Sequence, residues 1–487
     1  MNFKMIGRFF VMILSIEAIF MLPALGISIA EGTHATTKGF ALTLAVMAVL
    51  IALLAIYSRH AKKSFFAKEG LFCTGLCWIL LSLVGALPFY LSGEIPSYID
   101  ALFEMVSGFT TTGASIVPNV EALSKAVLYW RSFSHWLGGM GVLVFVLAII
   151  PVSGKNEGFT MHVLRAESPG PSVGKLVPKM RQTAAYLYLI YVVLTMINFL
   201  FLVAGDMPVF DAVCTALGTA GTGGFGIKAD SMASYSPYLQ NVTTVFMLIF
   251  GVNFSCYYLL LMRHFRSVFK DEELRLYLGI VIGGIILIAL NLYGKFADTQ
   301  SVANTVRHSA FQVSSIITTT GFASTDFDIW PAFSKAILLF LMMVGGCAGS
   351  TAGGLKCARF LLLIKSMRRN LRQVLRPNRV EVIRVNDEPV PEKLIAGTNA
   401  YFGIYIILMV VSFLLISLDN LSIATNLSAV MSCSNNVGPA LDAAGPMYNY
   451  DVFSPLSKLV LTFDMLAGRL EIFPILVLFS ASTWKKN

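Results

Sequence analysis

One arrangement constrains this chain more than any other, and it occurs four times. An apolar segment of spanning length is followed by a short amphipathic segment, then a polar turn ending in glycine, then a second apolar segment. The first copy runs 70–92, 100–110, the turn Thr110-Thr111-Thr112-Gly113, and 124–150. The second runs 182–204, 211–220, Gly221-Thr222-Gly223-Gly224, and 237–262. The third runs 274–293, 302–317, Thr318-Thr319-Thr320-Gly321, and 332–364 with a break inside. The fourth runs 395–418, 422–434, Asn435-Asn436-Val437-Gly438, and 455–481. Repetition in fixed order marks one architectural unit used several times.

The offsets support the alignment. Asp100 and Asp211 each precede a turn glycine, Gly113 and Gly224, by 13 residues, and both are followed by alanine. Each aspartate stands where a short helix would start, the place of an N-cap. "TGFAST" at 320–325 matches "GGFGIK" at 223–228, which makes Gly224 rather than Gly223 the equivalent of Gly321.

Composition names the solvent. Only 13% of the 487 residues are charged and 56% are hydrophobic, whereas soluble proteins carry about 25% charged residues. Apolar runs of about 20 residues are long enough to cross a bilayer. Two more precede the repeats, at 6–29 and 39–57. The first has a short cationic start, Lys4 and Arg8, but it is too long for a signal peptide and lacks a clear small-residue cleavage site. We read it as a retained helix. The expected fold is an all-α polytopic membrane protein, with four M1–P-loop–M2 repeats in pseudo-fourfold arrangement around a central pore plus two extra N-terminal transmembrane helices. The expected boundaries are 1–69 for the two N-terminal helices and basic loop, 70–155, 182–270 and 271–370 for the first three repeats, 371–394 for a basic cytoplasmic linker, and 395–487 for the fourth repeat. The filter turns fall at 110–114, 221–225, 318–322 and 435–439.

The net charge of +9 is explained by its distribution. Lys and Arg cluster at 59–68, 155–181, 263–275, 356–393 and 485–486, while the connections at 93–123, 206–236, 296–331 and 419–454 hold few of them and most of the aspartates. That alternation is the positive-inside signature. It places both termini in the cytoplasm and makes nucleic acid an unneeded partner. The seven cysteines (73, 77, 214, 256, 347, 357 and 433) lack metal-ligand spacing and read as packing residues.

The short segments cannot span. Polar turns at membrane depth survive only inside protein or against a watery cavity, so four of them converge most simply on one axis. A ring of backbone carbonyls there replaces the hydration shell of a cation. Glycine permits the backbone angles this needs. Threonine adds a hydroxyl without charge. The C-terminal ends of the short helices bring partial negative charge to the turn.

These turns, together with "GGCAGSTAGGLK" at 345–356, "GRLEIF" at 468–473 and the two extra N-terminal helices, resemble the Trk/Ktr/HKT superfamily of potassium transporters, and within it the TrkH/TrkG membrane subunits of bacterial Trk systems. The resemblance covers essentially the whole chain. It implies K⁺ as the transported ion and a filter of Thr111, Thr112 and Gly113; Thr222, Gly223 and Gly224; Thr319, Thr320 and Gly321; and Asn436, Val437 and Gly438. It implies a bacterial inner-membrane location in the lipid bilayer, a homodimer, and a cytoplasmic nucleotide-binding TrkA-like regulatory subunit. In related plant transporters a serine at the first glycine goes with sodium permeation; Gly113 favours potassium. Two departures stand out. The glycine-rich second turn suggests a looser quarter, and Asn435-Asn436-Val437 breaks fourfold identity. Symport, whether with H⁺ or Na⁺, and passive flux both remain open, as does a sodium-coupled Ktr-type subunit.

Five glycines (Gly345, Gly346, Gly349, Gly353 and Gly354) within ten residues cost about 1 kcal/mol each in a continuous helix, so the helix breaks over 345–356. A plug below the filter is the functional reading; a kink or close helix packing is the structural one. A phosphate loop fails on spacing, because Lys356 comes one residue late. Lys356 is expected to meet cavity water or acidic groups. Arg469 falls mid-way along the last apolar segment, where an arginine costs about 2.5 kcal/mol or more. We expect it to face the cavity as a barrier to cation flow, with a structural ion pair as the alternative and Glu471 as a poor partner. Asn253 and Ser255 line the cavity or bond backbone. His135 and His308 read as structural. The run 365–385 is basic and amphipathic, suited to lipid headgroups or the regulatory partner. No His-Glu-x-x-His or Gly-x-Ser-x-Gly pattern is present, so the chain does not read as an enzyme. A secondary transporter would share broken helices but has no need of four glycine turns at one depth.

Overall fold

The computed structural model describes residues 2–60, 67–141, 180–378 and 381–479. The inner part of the first repeat's second segment (142–150), most of the 155–181 basic cluster and the C-terminal lysines lie outside the described residues. Helices α1 (Phe3–Ala30) and α2 (His34–Ser58) form an antiparallel pair. The first repeat follows as α3 (Ala67–Gly85), α4 (Leu87–Leu91), α5 (Tyr98–Phe109) and α6 (Lys125–Gly139). The second comprises α7 (Met180–Ala204), α8 (Val209–Gly221), α9 (Pro237–Phe250) and α10 (Phe254–Leu261). After the short α11 (Phe265–Lys270), the third comprises α12 (Glu272–Leu292), α13 (Val302–Ile317), α14 (Ala332–Val344) and α15 (Cys357–Leu375). A two-stranded turn, Arg384–Val385 with Glu388–Pro389, leads to α16 (Glu392–Ile416), α17 (Ile423–Asn435), α18 (Pro455–Arg469) and α19 (Phe473–Phe479). Among the described residues six helices are long and apolar enough to cross a membrane, and α9 with α10 makes a bent seventh candidate.

Two of the four half-helices start on a serine cap, while α8 and α13 start without a side-chain cap bond. Ser97 accepts from the Asp100 amide at 3.4 Å, and Ser422 from that of Thr425 at 3.0 Å. Asp100 and Asp211 are therefore not the N-caps. They sit in the first turn, where a carboxylate still suits the helix dipole, and each has a tertiary task. Asp100 pairs with Lys458 at 2.7 Å, and Asp211 accepts from the Tyr235 hydroxyl at 2.8 Å. Three of the four second helices begin on serine caps, Ser124, Ser236 and Ser454. In two of these Pro237 and Pro455 follow, where a missing amide costs nothing.

The second helices of the second, third and fourth repeats break, which the sequence revealed only for the third. α9 and α10 meet at 89° across Gly251-Val252-Asn253. Asn253 caps the new helix by accepting from the Ser255 amide at 2.9 Å, so that pair serves backbone. α18 ends at Arg469, and Glu471 and Ile472 carry positive φ before α19 starts. The segment 455–481 is thus not one helix, and Arg469 stands at a helix end rather than mid-helix.

A buried ion pair ties the first repeat together. Arg131 of α6 reaches Glu104 of α5 at 2.6 Å, with side chains 2% and 0% exposed. Glu104 also accepts from the Ser115 hydroxyl and the Ile116 amide. The chain leaving the first turn is thereby tied to the half-helix entering it.

Candidate functional site

The four turns share one backbone. Thr111, Thr222, Thr319 and Asn436 have φ of 57°, 53°, 54° and 56°. Two residues later Gly113, Gly224, Gly321 and Gly438 have φ of 78°, 78°, 87° and 105°. A left-handed threonine is costly, of order 1–3 kcal/mol, and it recurs at one position in three repeats. The amide of the residue after each left-handed one returns to the half-helix: Thr112 to Ser107, Gly223 to Gly218, Thr320 to Ser315 and Val437 to Ser432, at 2.8–3.0 Å.

The turns also meet in a closed ring. A Cβ added to Gly113 would collide with the carbonyl oxygen of Gly223. One on Gly224 would meet that of Thr320, and one on Gly321 that of Val437. A Cβ on Gly438 would lie 2.7 Å from the carbonyl oxygen of Thr112. Each turn glycine therefore abuts the carbonyl preceding the glycine of the next repeat, in the order one, two, three, four, one. Above the ring lies a cavity of about 130 Å³ lined by all four glycines, with Arg131 and Lys228 also at its wall. The structure thus brings together all twelve residues expected from the sequence.

Side chains lock the ring from behind. Thr110 and Thr112 share a hydroxyl bond of 2.8 Å, as do Thr318 and Thr320. The Asn436 amide donates to Thr112 Oγ1 at 3.0 Å and to the Met465 carbonyl at 2.9 Å, joining turn four to turn one. The second turn is not a loose quarter. The His135 imidazole occupies the place of a side chain at Gly223. Its Nδ1 lies 2.8 Å from the Gly108 carbonyl and its Nε2 accepts from the Phe225 amide at 3.3 Å. His308, with Nδ1 3.2 Å from Ser324 Oγ, stands apart from the ring. In the outer loop after turn four, hydrogen bonds from Ser422 and Thr425 hold the Asp442 carboxyl below its usual range.

On the other side of the turns lies the segment 345–356. Gly345, Gly349, Gly354 and Lys356 have positive φ, so this is a folded loop. It docks on the break in the second repeat: the Cys347 amide donates to the Gly251 carbonyl at 2.9 Å, and the Phe254 amide to the Gly349 carbonyl at 3.0 Å. The Gly353 amide donates to Thr319 Oγ1 at 2.6 Å, which sets the loop directly against the third turn. Gly346 packs on Ala352 within the loop. Lys356 is buried and turns back to the Ala352 carbonyl, so its bonded partner is the loop's own backbone rather than an acidic group.

Arg469 spans the space beneath the turns. Its guanidinium donates to Thr351 O at 2.8 Å, Gly138 O at 2.6 Å and Gly139 O at 2.5 Å. One cation on the fourth repeat therefore grips the third repeat's loop and the end of the first repeat's helix. Glu471 faces elsewhere and pairs with Arg359 at 2.5 Å. Sequence reasoning missed this second pair, although Arg359 three residues after Lys356 and Glu471 beside Arg469 are both visible in the chain.

Comparison with known proteins agrees with this architecture. The family model described as TrkH, cation transport protein, matches residues 34–486. The chain belongs to the TrkH family. The Salmonella typhimurium Trk system potassium uptake protein TrkH is 36% identical over 435 residues, covering 88% of each chain. That of Halomonas elongata is 33% identical over 492 residues and the whole of both chains. The crystal structure of the potassium transporter TrkH from Vibrio parahaemolyticus superposes with a TM-score of 0.86 at 30% identity, covering all of both chains. The all-α polytopic fold, four repeats around a pore with two N-terminal helices, is that of this TrkH family member.

Proposed function

We propose that this protein carries K⁺ into the cell across the bacterial inner membrane, both termini being cytoplasmic. The observation that carries the reading is the closed ring in which each repeat's glycine abuts the next repeat's carbonyl. Carbonyls held in this way replace water around a cation without adding net charge, so an ion enters and also leaves. The relatives named as potassium uptake proteins support potassium as that ion.

In this reading Thr111, Thr112, Gly113 and their equivalents form the filter, and the 345–356 loop with Arg469 forms the gate. The loop blocks the path just inside the filter, and the Arg469 charge opposes a cation there. Opening requires the Arg469 bonds to Thr351, Gly138 and Gly139 to part. A cytoplasmic nucleotide-binding subunit and a second copy of this chain, as the family resemblance implies, would supply that work.

The test is rescue of growth on limiting K⁺ in an uptake-deficient cell, repeated with Gly113→Ser. The wild-type chain rescues. The serine variant, whose side chain must displace the Gly223 carbonyl, loses rescue or admits Na⁺. Full rescue with unchanged ion preference would refute a carbonyl filter.

A further inference from the structure

The fourth repeat treats its glycine carbonyl differently from the other three. Gly438 O accepts from the Ser432 hydroxyl at 2.8 Å and from the Tyr450 hydroxyl at 2.7 Å. A carbonyl oxygen has two lone pairs, and here both are engaged. Among the described residues no hydrogen bond reaches the carbonyls of Gly113, Gly224 or Gly321. The backbone differs as well: φ is 105° at Gly438 and 78–87° at the other three.

The donors arise from one repeat position used in four ways. Ser107, Gly218, Ser315 and Ser432 each stand six residues before a turn glycine. Ser107 is buried with its hydroxyl unpartnered. Gly218 has no side chain. Ser315 donates one residue further on, to Phe322 O at 2.6 Å. Ser432 alone takes the glycine carbonyl. Tyr450 comes from the outer loop, is 2% exposed, and packs on Phe103 with ring centroids 5.7 Å apart. Its own amide is tied to Ser115 O of the first repeat at 2.8 Å, so its hydroxyl is held in place by two repeats.

We propose that Ser432 and Tyr450 withhold the Gly438 carbonyl from the ion, so that at the glycine level K⁺ meets three carbonyls and completes its shell with water from the outer cavity. They are positioning residues; neither touches the ion. A level one ligand short binds weakly and lets the ion keep water on the side from which it enters, which favours passage over retention. The inference rests on the filter reading above.

The experiment is K⁺ and Rb⁺ uptake by reconstituted protein with Tyr450→Phe, Ser432→Ala and the double variant. Each removes one donor and keeps most of the side-chain volume. Freeing the carbonyl lowers the half-saturating K⁺ concentration by about threefold per variant, the size of one net hydrogen bond, and shifts Rb⁺ preference. The maximal rate stays within about twofold and Ser432→Thr restores the parent values. Ser107→Ala, lacking a partner to lose, leaves both readouts unchanged. Parent-like half-saturation and preference in the folded Ser432→Ala variant overturns the proposal even if Tyr450→Phe does not fold. Gly113→Ser, run alongside, separates the two failures: if it alters ion preference while the hydroxyl variants do not, the filter stands and this inference falls.

Discussion

The imidazole of His135 fills the volume that a side chain at Gly223 would need. The other three turns have Thr112, Thr320 and Val437 at that position. The second repeat gives up its own side chain and borrows a ring from the first. Nε2 accepts from the Phe225 amide while Nδ1 faces the Gly108 carbonyl, which sets the proton on Nδ1. Gly223→Ala is expected to reduce K⁺ uptake by about tenfold or more, because overpacking a filled core costs about 1–3 kcal/mol. His135→Ala combined with Gly223→Thr makes room and restores a side chain, and recovers part of that loss. Uptake and thermal melting of the two variants beside the parent decide it; a double variant no better than Gly223→Ala would show that ring and glycine are unrelated.

Arg469 joins three repeats through carbonyls of Thr351, Gly138 and Gly139. Charged hydrogen bonds are worth about 1.5–3 kcal/mol each, enough to bias a loop between two positions. Arg469→Ala is expected to raise cation flux in vesicles several-fold, by removing both the tether and the charge. Arg469→Lys keeps the charge but not the planar fork and gives an intermediate flux. Flux at or below the parent level in well-folded Arg469→Ala would exclude a barrier role.

The Arg131–Glu104 pair is fully buried. Removing one partner strands the other charge, at a cost of about 3–5 kcal/mol. Glu104→Gln therefore lowers the melting temperature in detergent sharply. Breaking the partly exposed Arg372–Glu381 pair (55% and 23% exposed) with Glu381→Gln shifts it less, since pairs open to water are worth at most about 1 kcal/mol. Equal shifts from the two variants would show that burial is not what gives the first pair its weight.

Asn436 donates to both Thr112 and Met465. Asn436→Ala loses both bonds between turn four and its neighbours. We expect weaker discrimination of K⁺ from Na⁺, read by competition in uptake, with melting lowered by about 1–3 kcal/mol equivalent. Unchanged competition would mean that the ring keeps its register through the backbone alone.

Much of the site was legible in the chain because its signals are local and repeated. The four glycines, their offsets and the five-glycine run report backbone geometry, and backbone geometry is written in glycine, threonine and spacing. The same holds for the spanning helices, which follow from apolar length. The breaks at Gly251 and after Arg469 were hidden because the runs on either side are apolar enough to span, and isolated polar residues such as Asn253 or Arg469 do not by themselves mark a break. Asp100 and Asp211 were misplaced as caps because their real partners, Lys458 and Tyr235, lie far along the chain in one case and across a loop in the other.

The sequence by itself therefore determined the membrane fold, the fourfold repetition and which backbone segments bend at depth. Only the tertiary structure decided how unequal repeats close a ring: that His135 completes the second turn, that Ser432 and Tyr450 occupy the Gly438 carbonyl, and that Arg469 reaches two other repeats. The reason is physical. Helix length and turn chemistry depend on near neighbours, but a hydrogen bond to a carbonyl hundreds of residues away exists only once packing has brought the two together.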